Sequence, residues 1–189
     1  PTLPIQYNKG NALKAASEIA TMANARTLTI ETIKESLNKY GILYIEVPKL
    51  DKAPIDAFST MADAHPVITV TYRYNDMDKL VFDVLHELCH IDRHLTKEQT
   101  AFISVDDGSY ATDPREKEAN EFARQTLIPD TVWGDIMKVG CKSLSPFKIV
   151  KTIAVTAESK GISPSIAVAR YKHDTNWYNT SAYRSPKIS

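Results

Sequence analysis

His86-Glu87-Leu88-Cys89-His90 sets two imidazoles four positions apart, with a carboxylate beside the first. On a helix, that spacing puts both rings on one face, one turn apart. Both can then reach a single zinc ion, and Glu87 can serve as general base toward a water that the ion activates. The bland alternative is two surface histidines beside a surface glutamate. A catalytic zinc takes three protein ligands and keeps one position open, so a third ligand must come from elsewhere. His94 lies eight positions beyond His86, roughly 12 Å along a helix axis. That is too far to share the ion, so it reads as a surface or substrate-side residue.

The third ligand is favoured in Glu116-Lys117-Glu118-Ala119-Asn120-Glu121-Phe122-Ala123. At 100° per residue, Ala119, Asn120, Ala123 and Leu127 cluster within about 60° of Glu116, whereas Glu118 lies near 200°. Small residues beside Glu116 allow close helix approach, which makes Glu116 the favoured ligand and Glu118 a surface residue. Asn120, one turn on, can hydrogen-bond a ligand histidine and fix its tautomer. A simpler role for Glu116 is to favour a helix N-terminus through the macrodipole.

These residues need elements to hold them. Met77, Leu80, Val81, Val84, Leu85, Leu88, Ile91 and Leu95 span about 20° to 140° of one helix, a core stripe. Asp83, His86, Glu87, His90 and His94 span about 240° to 340° on the opposite side, where a cleft can lie. Asp76 or Asp78 can cap this helix, which runs to about His94. Helical spacing also covers 9–24 and Thr29–Tyr40, with Gly41 past the second end. Strands are expected at 42–47, more weakly at 56–61, and strongly over Pro66–Tyr72. The short links suggest antiparallel pairing. Residues 96–113 read as an acidic, irregular segment. Further helices are expected at Pro114–Leu127, Thr131–Val139, Pro146–Lys160 and Pro164–Tyr171, followed by a loose tail over 174–189.

Composition bounds the rest. The chain has 189 residues, 43% hydrophobic and 24% charged, which is ordinary globular usage. No apolar run approaches the roughly 18 residues of a membrane span. Cys89 and Cys141 form no framework spacing, so reduced thiols in a cytoplasmic protein are expected. The chain opens at Pro1, which leaves room for an upstream segment. Its net charge of zero hides an asymmetry. Residues 1–139 carry 15 basic and 21 acidic side chains, and residues 140–189 carry 8 and 2.

The HELCH helix, the strand before it and Glu116-x-x-Ala119-Asn120-x-Phe122-Ala123-x-x-x-Leu127-Ile128-Pro129 resemble the ImmA/IrrE family of bacterial zinc metallo-endopeptidases. The resemblance runs from about Gly41 to Tyr171. It departs at Cys89, where the family often has glycine. It implies an α+β fold with a gluzincin-like minimal zincin core. A small antiparallel or mixed three-stranded sheet would pack on the HExxH helix, ahead of a mostly helical C-terminal half. Residues 1–173 would form one such domain. One Zn²⁺ per chain is expected on His86, His90 and Glu116, with Glu87 as acid/base. The implied substrate is a protein or peptide, such as a DNA-binding repressor of a mobile element, toxin–antitoxin pair or stress response. An upstream helix-turn-helix domain is a further expectation. Candidates for an oxyanion partner are Tyr72, Tyr110 and His94. If Pro66–Tyr72 is an edge strand, a peptide substrate can add to it.

A competing reading concerns residues 140–189. Ala157-x-x-x-Gly161-Ile162-Ser163 loosely resembles a helix-turn-helix, among basic residues interleaved with Phe147, Tyr171, Trp177, Tyr178 and Tyr183. On that reading the protein contacts DNA and acts as a regulator, with a sensory or structural zinc site. The preferred reading packs these helices behind the zinc site.

Overall fold

Short polar caps set where the helices begin. Thr29 and Thr32 form a reciprocal capping box, Asp76 accepts from the Lys79 N–H, and Asp113 accepts from the Arg115 N–H ahead of Pro114. The computed structural model describes residues 5–48, 55–71, 75–96, 98–103, 113–140 and 145–188. Its elements are α1 (Asn11–Asn24), α2 (Ile30–Lys39), β1 (Leu43–Glu46), β2 (Ala57–Ala62), β3 (His65–Val70) and α3 (Met77–Arg93). There follow β4 (Ala101–Ile103), α4 (Pro114–Leu127), α5 (Asp130–Gly140), α6 (Pro146–Ser159) and α7 (Pro164–Thr175). The fold is α+β, with seven helices and one sheet among the described residues.

Gly41 closes α2 at φ +76°, and a Cβ there would stand 2.7 Å from the backbone nitrogen of Tyr7. Both the left-handed turn and the close approach of the N-terminal segment require glycine at this position.

The sheet corrects the expected strand count and decides between the two pairings left open. It has four strands rather than three, in the order β1-β3-β2-β4. It is mixed: β1 runs parallel to β3, and β2 pairs antiparallel with β3 and β4. Two residues between β2 and β3 force a hairpin, with Asp63 turning at φ 53°. The hairpin places β2 on one side of β3 and leaves the other side for β1, which therefore runs parallel to it. Strand β3 is accordingly interior and buried at all six positions, as its near-continuous β-branched run permits. It is not an edge to which a peptide can add. The edges are β1 and β4.

Helix α3 lies between the sheet, α1 and α4. Its apolar stripe (Leu80, Val84, Leu85, Leu88) is fully or almost fully buried, as are Ala12, Ala15, Ala16 and Ile19 of α1 in the same core. Alanines on α1 let the two backbones approach closely. Helices α5, α6 and α7 complete the core with Ile136, Ile153, Ala157 and Val168.

Helix α7 continues to Thr175, where Asn176 ends it at φ 52°. Part of the expected tail docks on the start of α3. Met77 donates its N–H to the Pro186 carbonyl at 3.0 Å, and Asp78 donates to Ser185 Oγ at 2.8 Å. These residues satisfy the otherwise unpaired N–H groups that open α3.

The charge asymmetry is partly internal. Arg170 is buried, donating to the Ile128 carbonyl and to Asp130, each at 2.6 Å. Lys160 pairs with Asp135. Basic residues of the C-terminal segment thus meet acidic residues of α5.

Candidate metal centre

Three residues meet between α3 and α4. His86 Nε2 and His90 Nε2 stand 2.9 Å apart. Glu116 Oε2 is 3.1 Å from the first and Glu116 Oε1 is 3.5 Å from the second. The one-turn spacing on α3 aligns the two imidazoles. Glu116 comes from the first turn of α4, where Ala119 and Ala123, both fully buried, allow close contact with α3. His86, His90 and Glu116 are exposed by only 8%, 0% and 3%.

The donor set fits a metal ion. Zinc–nitrogen and zinc–oxygen bonds are about 2.0–2.2 Å, so one ion can touch atoms separated by up to about 4 Å; the two nitrogens lie within that of each other, and each lies within it of a Glu116 carboxylate oxygen. Two imidazole nitrogens and one carboxylate are the donors that zinc takes in hydrolytic sites. Asn120 Oδ1 lies 3.0 Å from His86 Nδ1. The amide oxygen can only accept, so Nδ1 carries the hydrogen, and in the neutral ring Nε2 presents its lone pair to the cluster.

Burial pushes His90 down to about 2, helped by the neighbouring His86 and His94, and keeps the ring neutral. For His86, burial pulls the same way but is outweighed. The hydrogen bond to Glu116 and the charges of Glu87 and Glu116 raise it above its ordinary value. Two imidazoles and a carboxylate converging in a dry space form a cluster that a cation would stabilise.

Glu87 is 2% exposed. Its Oε2 has no hydrogen-bond partner among the described residues. Burial pushes its carboxyl up to about 7, with the nearby His86 opposing. Leaving a buried carboxylate oxygen unpaired costs stability, and a carboxyl poised near neutrality suits proton transfer.

The remaining sequence candidates are distributed differently. His94 stays out of the three-donor cluster, but it is not a surface residue. It is 9% exposed. Its Nδ1 lies 2.7 Å from His90 Nδ1 and its Nε2 lies 3.2 Å from Glu118 Oε2. Tyr72, Tyr110 and Cys141 lie outside the described residues. Cys89 is fully buried, and burial pushes its thiol up to about 12.

Sequence reasoning passed over Phe102 and read Glu118 only as a surface residue. Phe102 of β4 stacks on His90 with ring centroids 3.9 Å apart and planes 18° apart. The apolar triplet Ala101-Phe102-Ile103 within an acidic stretch was the available signal. Glu118 carries a half-exposed side chain that nevertheless bonds Arg93 at 2.6 Å and reaches His94.

The Peptidase M78 family, described as the IrrE N-terminal-like domain, matches residues 30–158. The chain belongs to the ImmA/IrrE family. The matched span runs from the start of α2 to the end of α6, and it contains α3 and α4 with all three clustered donors. No curated protein matches the chain. Among the described residues, no helix is long and apolar enough to cross a membrane.

Proposed function

We propose that this M78 member is a zinc-dependent endopeptidase, with one Zn²⁺ held by His86, His90 and Glu116. The observation that carries this reading is the buried three-donor cluster beside the unpartnered Glu87 Oε2. Zinc supplies Lewis-acid chemistry at such a site, acidifying water and polarising a peptide carbonyl. Glu87 accepts a proton at Oε2 and delivers it to the leaving nitrogen, as its buried, near-neutral carboxyl suits. Asn120 orients His86. Phe102 packs on His90 and shields it from water.

The substrate we infer is a cytoplasmic DNA-binding repressor or regulator of a mobile element, toxin–antitoxin pair or stress response. The family supports a protein substrate, and the resemblance described above suggests the regulator. The sheet edge nearest the cluster is β4, since Phe102 lies on it. On this reading residues 1–173 form the zincin-like unit.

Packing favours the peptidase over a DNA-binding regulator. Helix α7, the second helix of the candidate helix-turn-helix, buries Pro164, Ile166, Ala167, Val168, Arg170 and Tyr171. A recognition helix needs an open face for bases, and here the most deeply placed cation is spent on Asp130 and a backbone carbonyl.

Glu87→Gln tests the assignment. Co-expressed with the candidate repressor, the variant should retain its zinc and leave the repressor intact, whereas the unsubstituted chain cuts it. Cleavage that persists in Glu87→Gln would overturn the proposal.

A further inference from the structure

We propose that His94 and Glu118 form a positioning relay that holds His90 in the tautomer required of a metal ligand. The inference rests on the zinc reading above and adds two residues to it. Its logic is directional. Ionised Glu118 can only accept, so at 3.2 Å the hydrogen lies on His94 Nε2. A neutral His94 with hydrogen on Nε2 has a lone pair on Nδ1. His90 Nδ1 is 2.7 Å from that lone pair, and so it carries the hydrogen and donates. His90 Nε2 is then left with its lone pair, facing His86 Nε2 and Glu116. Each bond dictates the next, from a half-exposed carboxylate to a fully buried ligand.

The outer end is anchored. Arg93 donates to Glu118 Oε1 at 2.6 Å, leaving Oε2 for His94. The guanidinium also lies 5.3 Å from the Phe122 ring centroid, which fixes it against α4. The inner end is held by Phe102 stacked on the His90 ring. His86 has its own tautomer set by Asn120. The two metal-facing rings are therefore governed separately, one by an amide on α4 and the other by an imidazole at the end of α3 backed by a carboxylate.

The test measures Zn²⁺ affinity of the purified full chain by chelator competition. His94→Leu removes the acceptor and should weaken binding about 10- to 100-fold. His94→Gln keeps an acceptor for the His90 Nδ1–H and should bring affinity back to within about threefold of the unsubstituted chain. Glu118→Leu, on a half-exposed side chain, should weaken it by a few-fold only. Ring-nitrogen NMR of the zinc-loaded protein should find hydrogen on Nδ1 of His90 and on Nε2 of His94. These spectra decide the matter should His94→Leu fail to fold.

Unchanged affinity in His94→Leu, no recovery in His94→Gln, or hydrogen on Nδ1 of His94 would each overturn the relay. Failure of the zinc reading looks different: the unsubstituted chain and Glu116→Ala would then bind Zn²⁺ equally poorly. If the unsubstituted chain binds and Glu116→Ala does not, the zinc reading stands whatever His94→Leu does.

Discussion

The two faces of α3 are hidden from water to the same degree and could hardly differ more in content. Toward α1 the helix presents Leu80, Val84, Leu88 and Ile91, none more than 5% exposed. Toward α4 and the β2–β4 edge it presents His86, Glu87, His90 and, at its end, His94, none more than 9% exposed. Burial stabilises the first face by about 25 cal/mol per Å² of apolar surface. On the second face it removes water from polar groups that need partners. Those partners exist for Asn120–His86 and for the His90–His94–Glu118 series, but not for Glu87 Oε2 among the described residues. Equal burial thus hides opposite energetics. A side chain that is costly to bury and left partly unsatisfied marks where chemistry, rather than packing, sets the residue.

The comparison breaks most sharply at Glu116. Zinc binding worth about 10–16 kcal/mol in closed four-ligand sites assigns several kcal/mol to each donor. Glu116→Ala should therefore lower Zn²⁺ affinity on the order of 10³-fold, measured by chelator competition. The metal-free variant should unfold at the same temperature or higher, because a buried carboxylate has been removed. Retained zinc would show that the polar face is held together for another reason.

Much of this face was legible in the sequence, because its information is local. Helical spacing aligns His86 with His90. Ala119 and Ala123 announce a helix that can come close, with Glu116 and Asn120 on the same side. What was not legible depends on tertiary closure. Strand β4 is three residues long and exists only through its pairing with β2, so no periodicity announces it. Glu118 lies on the far side of α4 by angle, yet its flexible side chain reaches Arg93 and His94 at the end of α3. Residues 185–188 carry no helical or strand pattern, and their docking on α3 answers unpaired N–H groups more than a hundred positions earlier. The same logic explains the sheet. Local links predicted antiparallel pairing, but the parallel β1–β3 contact joins non-consecutive strands.

The opposite face is tested by Leu88→Ala. Leu88 is fully buried, and truncation of such a leucine costs about 2–5 kcal/mol. Urea unfolding of the metal-free protein should show that loss. Zn²⁺ affinity of the folded variant should stay within a few-fold, since Leu88 points away from the cluster. Together with Glu116→Ala this separates the faces: one substitution removes stability and spares the metal, the other does the reverse. A hundredfold loss of affinity in Leu88→Ala would show that the faces are mechanically coupled.

The smallest effect lies at the start of the same helix, where Asp78 combines features of both faces. Burial raises its carboxyl from 3.8 to about 6, with the Asp76 charge adding and Ser165 and Ser185 opposing. Its Oδ2 has no hydrogen-bond partner among the described residues. Between pH 4 and 6 the folded state therefore holds a proton that the unfolded state has released. Stability then falls as pH rises through this window and stays lower at pH 7. Two pKa units correspond to about 3 kcal/mol, but the negative charge also favours the positive N-terminus of α3 by about 0.3–1 kcal/mol, and the side chain is only partly buried. Asp78→Asn should thus gain about 1–2 kcal/mol at pH 7 in urea unfolding. It should match the unsubstituted chain below pH 4, where both carry a neutral side chain. Its stability should be flatter between pH 4 and 6. A loss of stability at pH 7 would mean that Asp78, unlike Glu87, is held charged by its place at the helix start, and that desolvation dominates only on the face carrying the histidines.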